Sequence, residues 1–220
     1  LIMVRQNFKK FMQFLTSWAI RKHNISIIVV SGWYGTEITR EYVYAVLDTK
    51  YDVRRNLTNP WWDMSIPLTV LGYSDHRRNA FQWLGLFFRA MVRLTFGRRY
   101  KHYIVLNINY SNPNATKYWA GFIKPAYLII TSYKKGFDFI DKLISNTTDN
   151  KGKILYNYQD KELLKDALHN YQKIYSFGKE GTKTSLHMEE TPNSIIYTCF
   201  KDSISVRKNL LPGINNDIIA

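Results

Sequence analysis

The stretch that most constrains the fold is ISIIVVSGWYGTEITREYVYAVLDTKYDV, residues 25–53. A β-branched apolar run, Ile25 to Val30, reads as a short buried strand. Ser31-Gly32-Trp33-Tyr34-Gly35 follows as a glycine loop, and a helical pattern runs over 36–49 with Tyr42, Val43, Val46 and Leu47 inward. Tyr51–Arg55 reads as a second strand after a short turn. Strand, loop, helix and strand within about thirty residues make a parallel unit with a right-handed crossover. The layout is that of a phosphate-binding loop, in which backbone N–H groups and a helix N-terminus cradle phosphate. Such a loop carries Gly-Lys-Ser/Thr, whereas this chain reads Gly35-Thr36-Glu37.

That substitution changes the electrostatics. The lysine of a working loop adds a full charge against the phosphates, and the hydroxyl after it binds Mg²⁺. A carboxylate about 4 Å from a phosphate oxygen costs up to about 4 kcal/mol at an effective dielectric near 20. Arg40, one turn beyond Thr36, is placed to replace part of the lost charge. The alternative is an ion pair between Glu37 and Arg40, with Glu37 also favouring the helix N-terminus.

The rest of the chain repeats the alternation. Residues 1–24 read as an amphipathic helix ending near Arg21-Lys22, with Phe8, Phe11, Met12, Leu15, Trp18 and Ala19 on one face. NLTNPWWDMSIPLTVLG reads as a loop. A helix is expected over 80–97, a strand over 103–110, a short helix in NATKYWAGFI and a strand over 126–132. Then come a helix over 137–145, a strand over 153–157, a helix in KELLKDALHNY with Leu163, Leu164 and Leu168 inward, and a strand in KIYSFG. Residues 184–210 alternate like hairpin strands. The expected fold class is therefore α/β, a mostly parallel doubly wound sheet over the first 178 residues with a small antiparallel annex near the C-terminus.

Composition narrows the function classes. Of 220 residues, 45% are hydrophobic and 15% aromatic, enough for a real core. A single cysteine, Cys199, excludes an internal disulfide framework and a cysteine-rich zinc site; it reads as a buried strand residue. The five histidines, His23, His76, His102, His169 and His187, show no metal spacing. No apolar run approaches the ~18 residues of a membrane span. The chain opens at Leu1 and closes on LLPGINNDIIA, which reads like the start of another element, so we expect part of a longer protein.

Charge is the second constraint. The net charge is +14. Residues 1–110 carry 16 Lys/Arg against 6 Asp/Glu, so 16 − 6 = +10, and residues 111–220 carry 15 against 11, so 15 − 11 = +4. Such a field attracts phosphates, anionic lipid or nucleic acid. Within WLGLFFRAMVRLTF, residues 83–96, Arg89 and Arg93 form a narrow polar stripe and nearly everything else is apolar. Two readings are open: a helix buried against the sheet, or an interfacial helix on an anionic membrane. In the second, Trp83, Leu84, Phe87, Phe88 and Met91 are partly exposed, Arg89 and Arg93 meet headgroups, and the helix protrudes from the body. The arginines flank an apolar helix rather than base-stacking aromatics, so lipid is preferred to nucleic acid as a partner.

The order of segments resembles the central, ATP-binding domain of the Mur ligases, nearest the type that adds D-alanyl-D-alanine in peptidoglycan synthesis. VSGWYGTEITRE overlays the family loop with Gly32, Gly35, Thr39 and Glu41 matching, Thr36 at the lysine and Glu37 at the magnesium hydroxyl. The Asn-rich segment keeps Asn56, Asn59 and Pro67-Leu68-Thr69, with Trp61 and Trp62 where the family has Asn. YIVLNINYSNPNAT overlays the strand of the magnesium glutamate with Asn107 in its place. KPAYLIITS matches the next strand, YKKGFDF lacks the family histidine, ILYNYQDKELL keeps Asn157 and Asp160, and LLPGINNDIIA resembles the closing segment.

The resemblance covers about 25–220 and implies the Mur-ligase central-domain fold. It implies a nucleotide site at Gly32, Gly35, Thr36, Thr39, Arg40, Asn157 and Asp160, with Glu37 and Asn107 at metal positions. Family members phosphorylate a carboxylate with ATP and let an amine attack the acyl phosphate, which needs lysine and Mg²⁺ to neutralise the transferring group. Lysine, magnesium hydroxyl, glutamate and histidine are all replaced here. The expectation is a degenerate module with no cofactor, in the cytoplasm and peripheral to the membrane. Two alternatives stay open: a divergent ligase using ATP and Mg²⁺ on a UDP-muramoyl-peptide-like acceptor, and a basic membrane-surface module.

Overall fold

Along Ser26–Gly32 (β1) the side chains alternate between two cores. Ile27 and Val29 belong to the larger core and Ile28 and Val30 to a smaller one, so the strand needs cover on both faces, as its unbroken apolar run requires. It is flanked in parallel by Tyr103–Asn109 (β3) and Tyr127–Ser132 (β4). Val53–Arg55 (β2) forms the edge beyond β3, and Lys153–Asn157 (β5) and Ile174–Gly178 (β6) continue beyond β4. Leu186–Glu190 (β7), Ser194–Cys199 (β8) and Asp202–Arg207 (β9) complete one sheet of order β2-β3-β1-β4-β5-β6-β7-β8-β9. The pairs from β2 to β7 are parallel, and β7-β8-β9 are antiparallel. This computed structural model describes residues 2–57, 63–74, 79–97, 101–109, 112–136, 138–169, 171–178, 186–190, 194–199 and 202–207.

The larger core holds Met12, Leu15 and Ala19 of Ile2–Lys22 (α1), and Ile66, Leu68 and Val70 of Ser65–Leu71 (α3). It also takes Leu86 and Leu94 of Ala80–Phe96 (α4), Trp119 of Pro113–Ala120 (α5), Leu143 of Asp138–Asp149 (α6) and Leu164 of Lys161–Leu164 (α7). Each buried Leu, Ile, Val or Met among them contributes about 1.5–3 kcal/mol. The smaller core lies under Thr36–Asp48 (α2), through Val43, Tyr44 and Leu47.

Helices α1 and α4 run side by side in the same direction. Phe8 meets Trp83 edge-on at 5.0 Å between ring centres, Phe11 meets Phe87 at 5.1 Å, and the Lys22 ammonium donates to the Thr95 carbonyl at 2.6 Å. A capping box starts α4: Asn79 Oδ1 accepts from the Gln82 N–H, and Gln82 Oε1 accepts from the Asn79 N–H.

Several expectations need correcting. The segment read as a loop before Gly72 contains α3, buried on all sides. The antiparallel annex near the C-terminus is present as expected, as β7-β8-β9, and joins the main sheet through β6. Tyr42 and Val46 are exposed, because only Val43, Tyr44 and Leu47 reach the strip of sheet under α2. Leu163 is exposed too, since α7 ends after four residues and only Leu164 and Leu168 turn inward. Helix α4 does not protrude; Leu86, Ala90 and Leu94 seat it on the body. Trp83 and Phe87 are half-buried against α1, whereas Leu84, Phe88 and Met91 are exposed. Asn59, Trp61, Trp62, His76 and the closing segment LLPGINNDIIA lie outside the described residues.

Candidate functional site

The loop after β1 leaves the carboxyl end of the sheet between β3 and β4, where ligands of open α/β sheets bind. Gly32 is required by close approach: a Cβ there would meet Thr131 Oγ1 at 2.3 Å and the Ser132 nitrogen at 2.9 Å. Gly35 is required by conformation instead, with φ of 72° at the N-cap of α2 and open space around it.

The end of β4 holds the loop. Ser132 Oγ accepts from the backbone N–H groups of Trp33 (2.8 Å) and Tyr34 (3.0 Å). Thr131 Oγ1 donates to the Tyr34 carbonyl at 2.6 Å, and the Ser31 hydroxyl donates to the Ile108 carbonyl at 2.7 Å. Trp33 and Tyr34 are about half exposed at the tip, and the Lys134 ammonium lies 4.7 Å from the Trp33 ring centre.

Thr36 is buried at the head of α2 and Glu37 is exposed beside it. Arg40 does not pair with Glu37. Its guanidinium is buried and donates twice to Glu41 Oε1, at 2.7 and 3.0 Å, while Glu41 Oε2 lies 2.9 Å from Arg55 on β2. The Arg55 guanidinium in turn sits 3.8 Å from the centre of the Tyr44 ring. Arg40 is thus committed to a local network and not free for the loop.

Asn107, on β3, is fully buried, and among the described residues neither its amide nitrogen nor its amide oxygen has a partner. The backbone of the same residue is held by Asn56: Asn56 Oδ1 accepts from the Asn107 N–H at 2.9 Å and Asn56 Nδ2 donates to the Asn107 carbonyl at 3.3 Å. On the other flank Asn157 Nδ2 donates to the Thr131 carbonyl at 3.5 Å, and Asp160 Oδ2 accepts from the Tyr133 N–H at 2.8 Å. Burial raises the Asp160 carboxyl above its ordinary range, against the opposing pull of that N–H. The Tyr133 hydroxyl, pushed up to about 12 by burial and by the hydrogen bond it gives Asp141, stays protonated.

Gly32, Asn157 and Asp160 are therefore joined through the end of β4 into one arc, and Gly35 follows the clasped Tyr34. Thr39 stands half-buried one turn along α2, and Arg40 faces Glu41 and Arg55. Sequence reasoning missed Thr131, Ser132, Lys134 and the clamp made by Asn56. The available signal was two hydroxyl residues closing an apolar strand next to a glycine loop. Among the described residues no group of three or more His, Cys, Asp and Glu is placed to hold a metal ion.

No protein-family model matches the chain. Over 116 residues, 52% of this chain and 25% of the relative, it is 27% identical to the UDP-N-acetylmuramoyl-tripeptide–D-alanyl-D-alanine ligase of Borreliella burgdorferi. The fold matches MurF from Acinetobacter baumannii with a TM-score of 0.64 at 16% identity, over 96% of this chain and 43% of that one. It matches the MurF ligase from Thermotoga maritima in complex with ADP with a TM-score of 0.62 at 18% identity, over 90% and 44%. A pseudomurein peptide ligase type C from Methanothermus fervidus matches at 0.54 and 11% identity, over 83% and 42%. The chain spans a quarter of the curated relative and less than half of these structures. In fold and in this stretch of sequence the chain resembles the Mur ligases, and the part of them it matches is the central domain.

Proposed function

We propose that the protein is a Mur-ligase-like module with a degenerate nucleotide centre, kept as a binding or scaffold unit for UDP-linked cell-wall precursors. The observation that carries this reading is the Ser132 hydroxyl, which accepts from both N–H groups at the tip of the loop. On this reading those loop N–H groups are among the donors that a phosphate would use. The charges around them do not fit a magnesium triphosphate either: neutral Thr36 stands at the lysine, anionic Glu37 at the hydroxyl and a neutral amide, Asn107, at the carboxylate. On this reading ATP and Mg²⁺ are not cofactors of the chain, and no phosphoryl-transfer step runs through it. The module belongs in the cytoplasm, at the inner face of the membrane. Titration of the 220-residue chain with ATP and Mg²⁺ by calorimetry tests it. Absence of heat is expected, and magnesium-dependent binding in the micromolar range overturns it.

One observation favours a second reading, a divergent ligase that uses ATP and Mg²⁺ on a UDP-muramoyl-peptide-like acceptor. Lys134 sits over Trp33 at the mouth of the loop and brings a cation to the place where Thr36 brings none. The same titration decides, because only this reading expects Lys134→Ala to abolish a measured affinity.

A further inference from the structure

We propose that the joined faces of α1 and α4 dock on the surface of an anionic lipid bilayer. The inference stands on this surface and not on the ligase reading.

Residues 81, 84, 88, 92 and 96 recur every three or four positions and so share one side of α4. All are apolar and open to solvent: Phe81 85%, Leu84 68%, Phe88 71%, Val92 43% and Phe96 82% exposed, with Met91 at 44% beside them. The opposite side, Leu86, Ala90 and Leu94, is locked in the protein. One flank of the exposed strip carries Arg89, itself exposed. The other flank is formed by Trp83 and Phe87, which pack on Phe8 and Phe11. Through Phe11 the apolar surface passes onto α1, where Phe14 is also exposed. The helix thus puts its apolar residues both into the core and into solvent, with Arg89 at the border, while Arg93 turns toward His23 on the inner side.

Charge decides the occupant. The two helices contain seven arginines and lysines, five on α1 and two on α4, and no carboxylate; Lys9 is held by Asp63 at 2.6 Å and Arg93 turns toward His23, while Arg89 is exposed beside the strip. A chain of net charge +14 repels a second copy of itself at such a face and is drawn to an anionic surface. Apolar side chains bordered by cations are the chemistry of interfacial helices. No helix among the described residues is long and apolar enough to cross a membrane, and the inner side of α4 is already packed, so the contact lies along the surface.

Co-sedimentation of the 220-residue chain with vesicles tests this, comparing phosphatidylglycerol mixed into phosphatidylcholine with phosphatidylcholine alone. The expected result is binding to the anionic vesicles, at least about tenfold weaker on the neutral ones and weakening as salt rises. The pair Leu84→Gln with Phe88→Gln should lower binding at least about tenfold without moving the urea midpoint, since both side chains are exposed. Phe81→Gln with Phe96→Gln, at the two ends of the strip, should do the same, so a folding defect in one pair does not decide. Failure of the natural chain to sediment with anionic vesicles overturns the proposal, as does full retention by both pairs. Self-association in sedimentation velocity that both pairs abolish, without vesicle binding, also overturns it and assigns the face to a second copy.

Discussion

Asn56 holds the peptide of Asn107 from both ends, accepting from its N–H at 2.9 Å and donating to its carbonyl at 3.3 Å. The edge strand β2 stops at Arg55, opposite Val105, so the backbone of β2 no longer reaches Asn107. One side-chain amide thus extends the hydrogen-bonding ladder past the end of its strand. Asn56→Ala leaves two buried backbone groups without partners, and each costs about 1–3 kcal/mol. A loss of about 2–4 kcal/mol is expected in urea unfolding, with Asn56→Asp retaining part because it still accepts from the N–H.

The side chain of Asn107 behaves oppositely. Its amide is buried with nothing among the described residues to bond, so Asn107→Leu should leave stability unchanged or raise it by about 1–2 kcal/mol. Chemical denaturation measures this. A loss above about 2 kcal/mol shows that the amide is bonded in solution, a water being the simplest partner.

Changing the loop tests whether its frame still suits phosphate. Thr36→Lys with Glu37→Thr restores a cation and removes an anion, and triphosphate affinity should become measurable by calorimetry. Adding Ser132→Ala releases the N–H groups of Trp33 and Tyr34 and should strengthen it by about tenfold more. If the triple variant still gives no heat, the backbone rather than the side chains prevents binding.

The two loop glycines should differ in sensitivity. Gly35→Ala meets no atom and carries only the left-handed backbone penalty of about 1 kcal/mol, which Gly35→Asn reduces. Gly32→Ala drives a methyl group into Thr131 and the Ser132 backbone and should cost at least about 2 kcal/mol. Thermal unfolding of the three variants ranks them.

His23 makes stability depend on pH. Burial, then Lys22 and Arg93, hold its pKa below 6.5. The unfolded chain takes up a proton that the folded chain refuses. The stability from this group is complete above 6.5 and is lost as pH falls through 6.5 towards the lowered folded value. Asp160, raised above 3.8, acts in the other sense: its folded form holds a proton longer, so stability falls as pH rises through that lower window. Subtracting the His23→Gln profile of urea midpoints from that of the natural chain isolates the histidine. A difference that does not grow below about pH 6.5 contradicts the assignment.

What was legible in the sequence was local. The strand, glycine loop and helix from Ser26 to Asp48 could be read because β-branched periodicity and two glycines sit within a few residues of each other. Helix α3 was not, because it is buried all round and shows no polar face, and Pro67 reads as a breaker. In fact Pro67 lies in the first turn, where no backbone N–H is needed. The pairing of Arg40 with Glu41 was missed because Arg55, from a neighbouring strand, draws that carboxylate toward β2. The Ser132 clasp joins residues 99 apart, beyond any pattern of spacing.

The strand order also sets a timetable for synthesis. Strand β1 contains Ile27, Ile28, Val29 and Val30, and its neighbours are β3, where Ser26 meets Tyr103, and β4, where Ile28 meets Tyr127. On the ribosome β1 is therefore made long before either partner exists. For the time it takes to add about a hundred residues, several seconds at cellular rates, its edges stay open. Helix α1 emerges before β1 and can shield one face early, but the hydrogen-bonding edges wait for β4. The newborn chain, more than the finished protein, is therefore where the edges of this sheet are open to wrong pairing.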